Sequence, residues 1–440
     1  MEQQGFYHAL TIRHDVCVGC SHCMKVCPTE ALRVNGGKAT LYPAWCIDCG
    51  ECHRVCPSRA IVIEDDDFKN ILNYKHRVLI IPSVFIGQFE SKISQEEIFD
   101  ILMELGFTEI QQSEHSADYL ISEINKYIKK HDKPVLSSFC PAVTRLIQIR
   151  FPALIDNVLL LKQPLEITTE YYRKLYAGKG IDPNDVGIFY MTPCAAKIAS
   201  IKAPVGGYAS PLDGVLNMNY LYNLVFLKHK QRSKNAVVKA EYNTHVSARG
   251  LTWSLTNGEA QHIDGKCLAI DGVENVVEFL ERLENGKITG VDYLELRVCD
   301  ESCAGGILTP YNRFLAAERL REDANKLSSH NDTEEAYQNY IGGTIDVGEI
   351  PARSMVRYDV DIVKALAKME LAQKLKEMLP DIDCGACGAP SCEALAEDIA
   401  REQATINHCI FMKARHEKDG SLSQADSIDI MEKIWGKEKL

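Results

Sequence analysis

The chain has 440 residues, 46% of them apolar and 25% charged, an ordinary balance for a globular protein with room for several domains. A formal net charge of −12 argues against nucleic acid or an anionic membrane surface as partner, because phosphates attract the opposite sign. No basic segment followed by an apolar one opens the sequence, and no uncharged apolar run approaches ~18 residues. A cytoplasmic protein without membrane spans is therefore expected.

Seventeen cysteines in such a chain read as metal ligands rather than disulfides, because they fall into tight groups opened by CxxC. Residues 1–66 contain two similar halves, CVGCSHCMKVCP from Cys17 to Pro28 and CIDCGECHRVCP from Cys46 to Pro57. The run C-x2-C-x2-C-x3-C-P is that of two-cluster ferredoxins, in which the fourth cysteine of each run ligates the other cluster. One 4Fe–4S cluster is then assigned to Cys17, Cys20, Cys23 and Cys56, and the other to Cys46, Cys49, Cys52 and Cys27. Zinc rarely takes such an interleaved double run. His22 and His53, inside the runs, are read as surface or supporting residues rather than ligands. This segment is expected to be a ferredoxin-like α+β domain. The acidic run Glu64–Asp67 is read as a linker.

From about Arg77 strands alternate with helices, the pattern of an α/β domain, expected over residues 77–354. Strands are expected at Arg77–Ile81, Val135–Phe139, Val186–Tyr190 and Leu294–Val298. A helix is expected over Ser94–Leu105, where Ser94 caps, Glu97 follows three residues on, and Gly106 ends it. Three of the strands run into cysteine loops: Cys140 in SSFCPAV, Cys194 in MTPCAAK, and Cys299 and Cys303 in LELRVCDESCAGG. Sites in open α/β sheets form beyond the carboxyl ends of strands, so these loops can converge four thiolates on one cubane. Gly305 and Gly306 allow backbone to approach a bulky group.

These three loops resemble the signature motifs of the iron-only (FeFe) hydrogenases. That resemblance implies an H-cluster: a 4Fe–4S cubane held by Cys140, Cys194, Cys299 and Cys303, with Cys303 bridging to a diiron unit that carries CO, cyanide and a dithiolate. It also implies that the Pro82-Ser83-Val84 loop and Lys197 hydrogen-bond the two cyanides, and that Pro164 lies beside a diatomic ligand. A lysine and backbone donors in a dry pocket are chemically sensible hosts for an anion. The departures concern protons. Where the family has a proton-relaying cysteine just before the first ligand, this chain has Phe139; where it has a relay glutamate, Ser200; and where it has a methionine, Arg297. Turnover is expected to be slow, or to use another acid, with Glu123, Glu166 and Asp300 as candidates.

Residues 355–440 are expected to form a small helical domain around Cys384, Cys387, Cys392 and Cys409, spaced C-x2-C-x4-C-x16-C, which resembles a 4Fe–4S domain of anaerobic redox proteins. Zinc is the alternative occupant. A long helix over Tyr358–Leu379 precedes the cysteines, a second helix runs from Ser391 to about Asn407, and the tail from 415 is expected to be loosely ordered. Cys267, the one cysteine left over, is read as a buried apolar residue.

The whole resembles a modular FeFe hydrogenase of the divergent sensory groups, with three 4Fe–4S clusters besides the H-cluster. Implied partners are H2 and protons, a ferredoxin-like redox protein, maturation proteins for the diiron unit, and a signalling kinase or phosphatase. The competing reading is an iron–sulfur scaffold or electron-transfer protein with cubanes and no diiron unit.

Overall fold

The structure, a computed structural model, describes residues 7–90, 93–206, 209–232, 246–329, 335, 337–338, 345–353, 358 and 361–439. It divides into two compact units: residues 1–46, 50–63 and 353–440 form the smaller, and residues 47–49 and 64–352 the larger. Cysteine-bearing segments from opposite ends of the chain thus share one unit, with Cys49 assigned to the larger.

In the smaller unit, strand β1 (Leu10–Ile12) pairs antiparallel with β4 (Ile61–Ile63), and β2 (Leu32–Asn35) forms a hairpin with β3 (Lys38–Leu41). The sequence repeat reappears in the backbone, residue for residue. Ser21 and Gly50 both adopt positive φ ahead of short helices at His22–Lys25 and Glu51–Val55. Glu30 and Arg59 do the same, at φ 50° and 51°. Cys27 and Cys56 each accept a hydrogen bond at 3.2 Å from the backbone N–H four residues on, Ala31 and Ala60. Two copies of one cysteine motif have folded to one local geometry.

The C-terminal part of this unit is helical, at Ile362–Met378, Cys392–Ala400, Ile410–Asp419 and Gln424–Trp435. It departs from two expectations. The helix capped by Ser391 stops at Ala400, and the next begins after Cys409, so the two cysteines sit at the starts of different helices. The tail is ordered as well, because it finds backbone partners on the β2–β3 hairpin. The N–H groups of Gly36 and Gly37 donate to Lys433 and Ile434, and that of Val34 donates to Gly388. Only glycine suits Gly388: its φ is +81°, and a Cβ would lie 2.4 Å from the Val34 carbonyl oxygen. A buried ion pair adds to this join. Arg33 donates from Nε to Asp398 at 2.6 Å, and Arg401 supports the same carboxylate at 2.7 Å.

The larger unit holds two parallel sheets. One has the order β6 (Glu109–Gln112), β5 (His76–Ile81), β8 (Val186–Thr192), β9 (Gly214–Asn217). The other has the order β10 (Cys267–Ile270), β11 (Tyr293–Leu296), β7 (Val135–Leu136). Central strands such as Val186–Thr192 are buried at every residue, as parallel strands covered on both faces must be. The helix Gln95–Glu104 forms as its sequence predicts, with the Ser94 hydroxyl accepting from the Glu97 N–H at 3.2 Å. Strand Val135–Leu136 is shorter than expected, because the Ser137 hydroxyl turns inward and donates to Glu259. The acidic run is no loose linker. Asp66 accepts from the Val215 N–H at 2.7 Å and Asp65 from the Asn217 N–H at 3.0 Å, so the run caps the otherwise bare edge of β9. Cys267 is half-buried against the core that contains Tyr293 and Trp253.

Removing Arg33 leaves Asp398 with Arg401 alone. Arg33→Ala is expected to destabilise the smaller unit at the low end of the ~3–5 kcal/mol typical of broken buried pairs, read from anaerobic denaturant titration.

Candidate active site

Five strands, three from one parallel sheet and two from the other, deliver their carboxyl ends to one cavity of about 70 Å³ in the larger unit. Pro82 follows β5, Ser113 and Glu114 follow β6, Phe139 and Cys140 follow β7, Pro193 and Cys194 follow β8, and Arg297, Val298, Cys299, Ser302 and Cys303 follow β11. All four expected ligands, Cys140, Cys194, Cys299 and Cys303, line this cavity. Cys140 and Cys194 each precede the first turn of a helix, Pro141–Arg150 and Ala195–Lys202, so helix N-termini face their sulfurs. That polarity favours thiolate over thiol. Cys303 sits in the tight turn Ser302–Gly305, and its N–H donates to the Ser254 carbonyl at 3.1 Å. Gly306 lines the cavity where a Cβ would lie 2.5 Å from the Pro193 carbonyl oxygen.

The charges fit a cluster. Burial, then Cys303, push the Cys194 thiol up to about 12, while Lys197 pulls it down. Cys303 is raised for the same first reason and lowered by Arg297 and Lys197. Four crowded thiols in a dry pocket become stable thiolates when a cationic metal group shares the space. The Arg297 Nε, buried in the same wall, has no hydrogen-bond partner among the described residues. A cubane ligated by these cysteines suits the donor set.

The other expected residues are placed as follows. Lys197 and Pro164 line the cavity. The lysine Nζ donates to Gln163 Oε1 and reaches the Phe139 carbonyl at 3.4 Å. Ser83 is fully buried behind Pro82, where its N–H and Oγ donate to Glu114 Oε2 at 3.0 and 2.9 Å. Phe139 lines the cavity with its ring 5.8 Å from that of Trp253, so an apolar wall stands just before Cys140. Ser200 lies outside the cavity and donates to the Lys197 carbonyl at 3.0 Å.

None of the three substitute acids suggested by sequence lines the cavity. Glu123 pairs with Lys126 on a helix surface, Asp300 pairs with Arg313 and is half exposed, and Glu166 is spent capping the N–H of Gln163. The acid in the wall is Glu114, which belongs to no cysteine motif and so carries no signal along the sequence. Burial raises its pKa, against donors from Ser254 at 2.7 Å and from Ser83. A second buried acid pair lies behind Arg297. Glu259 accepts from Ser137 at 2.8 Å, from Tyr293 at 2.7 Å and from Arg297. Glu295 accepts backbone N–H bonds from Asn257, Glu259 and Ala260.

In the smaller unit, Cys23 lies within electrostatic reach of Cys20, Cys17 and Cys56, the interleaved quartet expected for one ferredoxin cluster. Its thiol is pushed up to about 12 by burial, then by those neighbours. His53 is occupied by the Ile61 carbonyl at 2.7 Å. At the other end, Cys387 lies near Cys384 and Cys409, and Cys392 and Cys409 share one apolar cluster.

The family model for the iron-only hydrogenase large subunit, C-terminal domain, matches residues 75–307, more than half of the 440. The chain belongs to the iron-only hydrogenase family. A 4Fe–4S dicluster model matches residues 16–61 of this hydrogenase-family chain, and an Fe–S cluster model matches residues 379–411. A solved FeFe-hydrogenase, studied for oxygen damage to its H cluster, is 15% identical, covers 66% of this chain and 96% of its own, and has a TM-score of 0.50, a likeness of fold. A variant of the Chlamydomonas reinhardtii FeFe-hydrogenase is 15% identical over 66% of this chain and 97% of its own, with a TM-score of 0.49. A component of the ion-translocating oxidoreductase complex of Thiobacillus denitrificans is 38% identical over 69 residues, 16% of this chain. That match spans about a third of the component's own length, 34%. No described helix is long and apolar enough to cross a membrane.

Burial, then the Glu259 carboxylate, push Glu295 up to about 7, while Arg297 and the backbone donors oppose them. A carboxyl raised by folding stabilises fully below its unfolded pKa, near 4.5, and that contribution is lost as pH rises through about 7. The larger unit is expected to lose melting temperature between pH 5 and 8, and Glu295→Gln is expected to flatten that slope.

Proposed function

We propose that this hydrogenase-family protein handles H2, 2H⁺ + 2e⁻ ⇌ H2, at an H-cluster held by Cys140, Cys194, Cys299 and Cys303, with slow turnover suited to sensing. The observation that carries this reading is the convergence of those four cysteines with Lys197 and Pro164 on one cavity. When bound, the diiron unit would supply the metal that binds and splits H2. The chain's own residues supply the rest. Lys197 offers a charged donor, and Pro82 and Pro164 a shaped wall, for anionic and diatomic ligands. Phe139 and Trp253 exclude water and leave no proton carrier at the usual position, which favours slow turnover. Glu114, held by Ser83 and Ser254, is the acid nearest to hand.

Electrons would enter through the two clusters of residues 17–56 and the one held by Cys384, Cys387, Cys392 and Cys409, delivered by a ferredoxin-like partner. Maturation proteins would supply the diiron unit. A kinase or phosphatase would read the sensor's output, and a cytoplasmic setting suits all of these partners.

After maturation with the diiron assembly machinery, infrared bands of iron-bound CO and cyanide are expected. Their absence, with the cubanes present, would leave an iron–sulfur scaffold or electron-transfer protein instead. Phe139→Cys is expected to raise H2 evolution, toward the lower end of the ~10²–10⁴-fold that a positioned acid–base group contributes. Glu114→Gln is expected to lower it. No gain from the cysteine would mean that the missing thiol does not limit the rate.

A further inference from the structure

Arg297 is a positive charge buried in the larger unit. It is 4% exposed, stands two residues before Cys299, and lines the same cavity as the four cysteines. Such a charge is costly to bury unless something compensates it. Glu259, with no exposed surface, compensates part of it through Nη2. The fork is then only half used, because Nε has no partner among the described residues. The carboxylate that holds the guanidinium is itself fixed by Ser137 at 2.8 Å and Tyr293 at 2.7 Å, so the pair has little freedom to turn away. Cys303 and Cys140 are the thiols within its electrostatic reach.

We propose that Arg297 is a positioning residue that sets the reduction potential of the cubane held by the four cysteines, its guanidinium stabilising the added electron and Glu259 tempering that effect. The inference rests on the reading that these cysteines ligate a cubane. A cubane with four thiolates is anionic and gains one more negative charge on reduction. A fixed cation beside it favours the reduced state, and in a low-dielectric wall that effect is weakly screened. A raised potential weakens the drive toward proton reduction and leaves the electron resting on the cubane. That balance favours taking electrons from H2 over evolving it, in keeping with a sensing role.

The test is a redox titration of the full chain, with dithionite as electron donor and reduced cubanes followed by electron paramagnetic resonance. The signal absent from a Cys140→Ala/Cys194→Ala double variant identifies the cubane in question. Arg297→Gln is expected to shift its midpoint potential down. Glu259→Gln, which removes the opposing charge and keeps the shape, is expected to shift it up. Arg297→Lys, which keeps the charge, is expected to stay closer to the parent than Arg297→Gln. The opposite signs are what a merely structural role would not produce. Shifts of the same sign, or none, with the signal intact would overturn the role of Arg297 alone. A double variant that keeps every cubane signal would show that the four cysteines hold no cubane, and would overturn the site reading as well.

Discussion

Everything in the larger unit depends on where parallel strands end. Parallel strands all present their carboxyl ends to one side, and two such sheets here bring β5, β6 and β8 from one and β7 and β11 from the other to a single cavity. A cavity lined this way can gather residues that are 221 positions apart, such as Pro82 and Cys303. The strands themselves are buried and rigid, so the loops inherit fixed anchors. Two of the four cysteines gain a helix N-terminus as well, which biases the sulfur toward its metal-binding form.

Gathering four half-buried cysteines around one cavity obliges the surrounding wall to manage charge. Lys197 and Arg297 bring positive charge to the sulfurs, and each is restrained by an acceptor, the half-buried Gln163 and the buried Glu259. Glu114 brings negative charge, restrained by Ser83 and Ser254. Phe139 and Trp253 add an apolar face. Among the described residues, the Arg297 Nε and the nearby Ser138 Oγ are buried without a partner, and low dielectric makes the contacts around them matter. The result is a pocket well equipped to hold a charged metal group and poorly equipped to pass protons to it.

The smaller unit solves a different problem with the same chemistry. Its two cysteine runs share one backbone geometry, including the left-handed residues at Ser21 and Gly50 and at Glu30 and Arg59. A domain of this size has little core of its own, and the C-terminal helices add to it through Gly388, Arg33–Asp398 and the Gly36–Lys433 contact.

Much of this was legible in the sequence because cysteine spacing is local chemistry. The interleaved ferredoxin runs, the three cysteine loops, the strand before each loop and the Ser94-capped helix all follow from short-range patterns. The departures at Phe139, Ser200 and Arg297 were visible for the same reason. Tertiary structure alone decided the rest, because it depends on contacts between distant residues. Folding turned the proton candidates Glu123, Glu166 and Asp300 to other partners while bringing Glu114 to the cavity. Glu259 and Glu295 carry no motif, yet folding encloses them behind Arg297. The polar tail, unremarkable as a string, is ordered because a hairpin some 400 residues earlier offers its glycine N–H groups to it.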